Sequence, residues 1–296
     1  MNHNDFTIES PTGEPEHDER LIRETLAYLA REEALHCIQI ASLTASLTAG
    51  VLAESPHGTT TFLVARRGNA VVGAGSITGA FHMMLSRVAD DGMPSALVDE
   101  LLIRETRIPG VMGNDRDAQA FANAWSARTG ARIVPGMRQA IMECREVRPP
   151  RGVRGTWQRA GEDDWAWILP WLREFADEAE HTNLATNPDA GEAILSSVQP
   201  PGGMFVWRNA EGQPVSFAGY KGQTLNGVRI GPVYTHPDHR RHGYGSAVTA
   251  IATQALRDEG HRFVCLYTDL ANPTSNHIYA GIGYEPVATS VVLRFA

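Results

Sequence analysis

The sequence predicts an α/β (α+β) chain of two similarly built domains, and three observations carry that reading. Strand-like and helix-like stretches alternate, the alternation passes through nearly the same order twice, and a proline- and glycine-rich seam separates the two passes. The chain has 296 residues, 43% of them hydrophobic, so even one half is long enough to enclose a core. The seam is Val147-Arg-Pro-Pro-Arg-Gly-Val-Arg-Gly155. Proline can neither continue a helix nor donate to a strand ladder, so this stretch reads as a linker, with domains over 1–150 and 151–296.

In the first half, Leu21, Ile22, Leu26, Leu29 and Ala30 recur at helical spacing, and a second helix continues through Leu43 and Leu47. Thr59 to Ser76 then holds two β-rich runs around Gly68-Asn69, the pattern of a hairpin. Beyond Ser95–Arg104 and Ile108–Gly113, a helix opened by Asn114 carries Ala118, Phe121, Ala122 and Trp125 on one face.

The second half opens with a short strand at Thr156, and Asp163 or Asp164 caps a helix running through Ile168, Trp171, Leu172 and Phe175. Met204–Tyr220 repeats the hairpin. Phe62, Val64, Val72 and Ala74-Gly75 line up with Phe205, Trp207, Val215 and Ala218-Gly219, with one inserted residue. A strand over 228–235, a glycine-rich loop, a helix over 246–259, a strand over 263–269, a helix over 273–280 and a strand near 284–295 complete the half. Such alternation indicates a mixed sheet.

Composition narrows the function. A formal charge of −8 disfavours broad attraction to nucleic acid or an anionic membrane. Mean hydropathy is −0.24, and Arg, Asp or Gly breaks every apolar run before membrane-spanning length. Met1–Glu16 is polar and acidic, unlike a secretory signal, so the expected location is the cytoplasm. Cys37, Cys144 and Cys265 are isolated and read as buried thiols, not as metal ligands.

The most informative stretch is Gly231-Pro-Val-Tyr-Thr-His-Pro-Asp-His-Arg-Arg-His-Gly-Tyr-Gly-Ser-Ala247. A strand enters it, Gly243 and Gly245 sit in its turn, and an apolar helix leaves it. Glycines let a ligand approach the backbone, and a helix start offers unpaired N–H groups at the positive end of its dipole. His236, His239, Arg240, Arg241 and His242 add positive charge. This is an anion cradle, yet it fits neither the P-loop nor the dinucleotide fingerprint. His236, His239 and His242 recur every third position, a spacing that mimics a metal site.

Arg240-x-x-Gly243-x-Gly245 after a strand, followed by Asn272-Pro-Thr-Ser-Asn-His-Ile-Tyr279 and Gly283-Tyr284, resembles the GNAT superfamily of N-acetyltransferases. The similarity covers most of 153–296 and is strongest from Ile230 to Pro286, while the first half resembles a degenerate copy. The resemblance implies a tandem arrangement of two GNAT-like domains, each a mixed, mostly antiparallel sheet flanked by helices, with acetyl-CoA bound by the second. It implies that backbone groups of Val233, Tyr234 and Thr235 pair with the pantetheine arm. Arg240 and the main-chain amides of Arg241, His242, Gly243, Tyr244, Gly245 and Ser246 would hold the pyrophosphate. Asn272 and Ser275 would contact more of the cofactor, and Tyr279 would lie near the thioester sulfur. Gly231-Pro232 fits the bulge that splays two strands in this family.

A tyrosine, protonated at neutral pH, can protonate a departing thiolate, which is the role expected of Tyr279. Many family members carry a basic glutamate on the strand matching Val228–Thr235, and none is present here. A water chain or the acidic run Glu174, Glu178, Glu180 and His181 is left to take the proton. Trp165, Trp167, Trp171 and Phe175 read as packing aromatics. The expected activity is direct acetyl transfer in a ternary complex to a small-molecule or peptide amine. A mycothiol-synthase-like acyl transfer and a silent CoA-binding module are the alternatives, and a homodimer is left open.

Overall fold

The computed structural model describes residues 6–49, 54–55, 58–79, 81–178 and 203–296. Glu180 and His181 of the acidic run lie outside them. The chain divides into two compact units, 1–139 with 288–296, and 140–287. The division therefore differs from the seam expected at 150/151. It falls inside one long strand, and the last nine residues return to the first unit. The proline-rich stretch is irregular backbone, as expected, but it lies within the second unit.

The first unit runs β1 (Thr7–Glu9), α1 (Pro15–Leu29), α2 (Cys37–Ala49), β2 (Glu54–Ser55), β3 (Gly58–Arg67), β4 (Ala70–Thr78), β5 (Met83–Leu85), α3 (Met93–Ile103), β6 (Gly110–Gly113), α4 (Asp115–Thr129) and the first part of β7 (Ile133–Cys144). Proline at the start of α1 removes an N–H that would lack a partner, and Leu21, Ile22, Leu26 and Leu29 bury one face. The β3–β4 hairpin turns at Gly68-Asn69, and β5 pairs in parallel with β6. Asn114 caps α4 through the Arg116 N–H, and Gly130 ends it at φ +75°. The closing residues Val291–Arg294 pair antiparallel with β6.

The second unit takes the end of β7, then β8 (Thr156–Arg159), α5 (Trp165–Glu178), β9 (Gly203–Arg208), β10 (Pro214–Lys221), β11 (Gly227–Thr235), α6 (Tyr244–Asp258), β12 (Phe263–Asp269), α7 (Pro273–Ile282) and the start of β13 (Glu285–Phe295). Its strand order is β7-β12-β11-β10-β9-β8, antiparallel from β8 to β11, with β11 and β12 parallel. The succession hairpin, strand, helix, parallel strand, helix thus occurs in both units. One face of the second sheet buries Val228, Ile230, Val264 and Leu266 beneath Ala247, Val248, Ala252 and Leu256 of α6. The other receives α5, whose Ile168, Leu172 and Ala176 recur every fourth residue against Val206, Phe217 and Tyr234. Each large side chain so buried contributes about 1.5–3 kcal/mol. No described helix is long and apolar enough to cross a membrane.

Candidate active site

The site begins with a fault in β11. Ala218 faces Val233 and Tyr220 faces Ile230, so β11 spends one more residue than β10 over this step, and the extra length is Gly231-Pro232. Proline donates no ladder hydrogen bond and Gly231 takes φ +146°, so the bulge falls where the sequence tolerates it. The parallel pairing of β11 with β12 covers Gly227–Arg229 against Phe263–Cys265, upstream of the bulge.

The bulge also resets which groups face the opening. His236 N–H donates to the Val215 carbonyl at 3.3 Å, and the Ser216 hydroxyl donates to the Tyr234 carbonyl at 2.7 Å. By ladder alternation the main-chain groups of Val233 and Thr235 turn away from β10, while those of Tyr234 turn towards it. Of the three residues expected to pair with the pantetheine arm, Val233 and Thr235 are so oriented and Tyr234 is not.

Tyr234 contributes its side chain instead, on the α5 face. Its hydroxyl lies 3.0 Å from a Glu174 oxygen and 3.2 Å from a Glu178 oxygen. Burial, together with the two carboxylates, pushes the phenol well above its ordinary pKa. Sequence reasoning missed this convergence because it depends on the change of phase at the bulge. Trp171 packs edge-on to Tyr234 and stacks on His236 at 4.9 Å, and Phe175 completes the wall. The expected packing role of Trp165, Trp167, Trp171 and Phe175 agrees with their place in this cluster.

Beyond Thr235 a short 3-10 turn (Pro237–His239) leads to Arg240, whose Nε donates to the Thr235 carbonyl at 3.0 Å. Arg241 adopts φ +66° and Gly243 φ +81°, so the chain doubles back before α6. No side chain caps α6, and its internal bonds begin with the Ala247 N–H on the Gly243 carbonyl. The amides of Tyr244, Gly245 and Ser246 thus form an uncapped first turn beside Arg240 and Arg241. A Cβ on Gly245 would lie 3.1 Å from Thr235 Oγ1, and one on Gly243 would lie 2.9 Å from Val153. Gly245 therefore lets α6 start close against β11, and Gly243 lets its loop pass close to Val153. His242 stacks on Tyr244 and bonds to the Arg240 carbonyl at 2.9 Å. No group of three metal-ligating side chains occurs among the described residues.

Asn272 proves first to be a helix cap, its side-chain oxygen accepting the Ser275 N–H at 3.0 Å. Ser275 is half-buried at the same helix start. Tyr279, seven residues after Asn272, packs against the core under α6 and edge-on to Tyr284 at 5.9 Å. Burial pushes its phenol up to about 12. No described residue hydrogen-bonds its hydroxyl. Cys265 is fully buried on β12.

The corresponding turn of the first unit is built differently. The Gly92 N–H at the start of α3 donates to Asp90 Oδ1 at 3.0 Å, Asp90 pairs with Arg67, and Phe6 would meet a Cβ at Gly92. A carboxylate and a ring lie where the second unit offers bare amides and arginines.

Residues 157–284 match the acetyltransferase (GNAT) family. Mycothiol acetyltransferase of Catenulispora acidiphila is 26% identical over 150 residues, 49% of this chain and 48% of that protein. The Clavibacter sepedonicus enzyme of that name is 26% identical over 214 residues, 69% and 68% of the two chains. The aligned part of the chain thus spans about half the length of the first relative. A tandem GNAT protein from the clavulanic acid biosynthesis pathway shares the fold over 98% of both chains, with 14% identity and a TM-score of 0.59. The family match falls within the second unit, and the likeness to the tandem GNAT protein runs through both units, which supports a tandem-GNAT arrangement.

Proposed function

We propose that the second unit transfers the acetyl group of acetyl-CoA directly to a primary amine in a ternary complex. The observation that carries this is the joint placement of the uncapped α6 turn at Gly243 and Gly245 and the outward-turned backbone of Val233 and Thr235. These groups fit a diphosphate and an extended amide-bearing arm, the first by helix-terminal N–H groups and the second by strand-edge pairing. When bound there, acetyl-CoA supplies an activated acyl group as a thioester. Arg240 and Arg241 add charge to the diphosphate side.

The protein's own groups account for the protons. Tyr279 carries a proton that it retains to about pH 12, and its hydroxyl is uncommitted among the described residues, as a donor to the departing sulfur requires. Glu174 is the carboxylate we assign to receive the amine proton, since Glu178 is engaged by Arg240. Fully buried Cys265 is a poor acyl carrier, which favours direct transfer.

The relatives named mycothiol acetyltransferase support a second reading, in which the acceptor is of the kind their name states. The test is thiol release from acetyl-CoA with a broad pool of primary amines, including the mycothiol precursor amine. Release that depends on an added amine supports acetyl transfer. Tight acetyl-CoA binding with no release from any amine supports a CoA-binding module instead.

A further inference from the structure

Strands β10 and β11 set two basic side chains side by side. Lys221 and Arg229 are register partners, and Arg229 is also the last residue at which β11 pairs with β12, opposite Cys265. Arg229 therefore stands at the fork, two residues before the bulge. Val228 and Ile230 bury their side chains beneath α6, so strand alternation sends Arg229 to the opposite face, the one where Phe217 and Tyr234 meet α5.

Arg229 forms no ion pair with any described carboxylate, and its Nε is sheltered from water without a hydrogen-bond acceptor. Burial, together with the neighbouring guanidinium, pulls the Lys221 ammonium down to about 7. A guanidinium held in this way is complementary to a planar carboxylate or to a phosphate, which its fork of N–H donors matches.

We propose that Arg229, with Lys221 beside it, forms an anion subsite on the acceptor side of the fork, so that the amine acceptor carries a carboxylate or phosphate group. The proposal rests on the acetyltransferase reading. On it, the Arg229 guanidinium holds the acidic end of the acceptor while its amine reaches the thioester.

Matched primary amines test this through thiol release from acetyl-CoA: amino acids against their amides, O-phosphoethanolamine against ethanolamine, and glucosamine 6-phosphate against glucosamine. The expected result is at least a tenfold higher kcat/KM for the charged member of one series. The carboxylate and phosphate arms show which anion is read. In Arg229→Gln that preference should fall at least tenfold, mainly through a higher KM for the charged acceptor. Calorimetric acetyl-CoA affinity within twofold of the original shows that the variant is folded. Equal or better use of the neutral members, transfer to none of the charged ones, or a preference that survives Arg229→Gln overturns the subsite while acetyl-CoA binding persists. Failure of the unaltered protein to bind acetyl-CoA overturns the acetyltransferase reading, and this inference with it.

Discussion

Arg240 places one guanidinium nitrogen on both carboxylate oxygens of Glu178, at 2.8 and 2.7 Å. The pair joins the loop before α6 to the end of α5, so a cation on the proposed diphosphate side is shared with an acid on the proposed acceptor face. Both side chains are nearly half exposed, and such pairs contribute at most about 1 kcal/mol to stability. Glu178→Gln is therefore expected to leave the urea midpoint nearly unchanged. Removing one negative charge near a diphosphate should tighten acetyl-CoA by two- to fivefold at low salt, from a Coulomb energy of about 0.4–1 kcal/mol, and the gain should vanish at high salt. Calorimetry at two ionic strengths measures this. Weaker binding at both would show that Glu178 serves chiefly to position Arg240.

Tyr279→Phe should lower kcat by about 100-fold or more, the usual scale of a lost general acid, with acetyl-CoA affinity within a few fold. Because burial holds the phenol near 12, it stays protonated across the working range. The ratio of unaltered to variant rates should be flat from pH 6 to 10. A ratio that declines through pH 9–10 would contradict the assignment, as would equal losses in kcat and affinity.

Much of this arrangement is legible in the sequence, and the exceptions have physical causes. Proline next to glycine inside a β-run marks the bulge, because few other places in a sheet accept proline. The hairpins at 58–78 and 203–221 announce themselves by apolar alternation around a turn. The partner of the last strand is not readable. Val291, Leu293 and Phe295 alternate as any strand would, and nothing local says that this strand completes the first unit. The side-chain role of Tyr234 is hidden because it depends on the phase change at Gly231-Pro232. The resemblance makes Asn272 a cofactor contact, and in the structure its side-chain oxygen caps the following helix through the Ser275 N–H.

Asp164 offers a test of the α5 anchor. Its buried carboxylate accepts from the Gly161 N–H, the Trp167 indole, Gln158 and Arg208. Burial opposes its ionisation, but these donors and the guanidinium outweigh it and hold the carboxyl below the ordinary aspartate range. The stability gained from a depressed pKa is fully present above the unfolded value near 3.9 and fades as pH falls towards the folded one. Asp164→Asn should cost about 1.5–3 kcal/mol at pH 7, and the difference should shrink between pH 5 and 3. Urea unfolding at those pH values measures it, and a constant difference would contradict the assignment.

Acetyl-CoA should bind with a stoichiometry of one per chain. In the first unit Asp90 occupies the amide at the start of α3, and its charge repels a diphosphate. A calorimetric titration that saturates at two equivalents would overturn this.

The most direct measurement is acetyl-CoA affinity after valine replaces glycine at 243 and 245, with Gly245→Val alone as the milder variant, since Gly245 needs no positive φ. If the amides around these glycines hold the diphosphate, binding should weaken at least 30-fold in the double variant and measurably in the single one, with far-UV circular dichroism unchanged. Affinity equal to that of the unaltered protein in both folded variants would contradict the account.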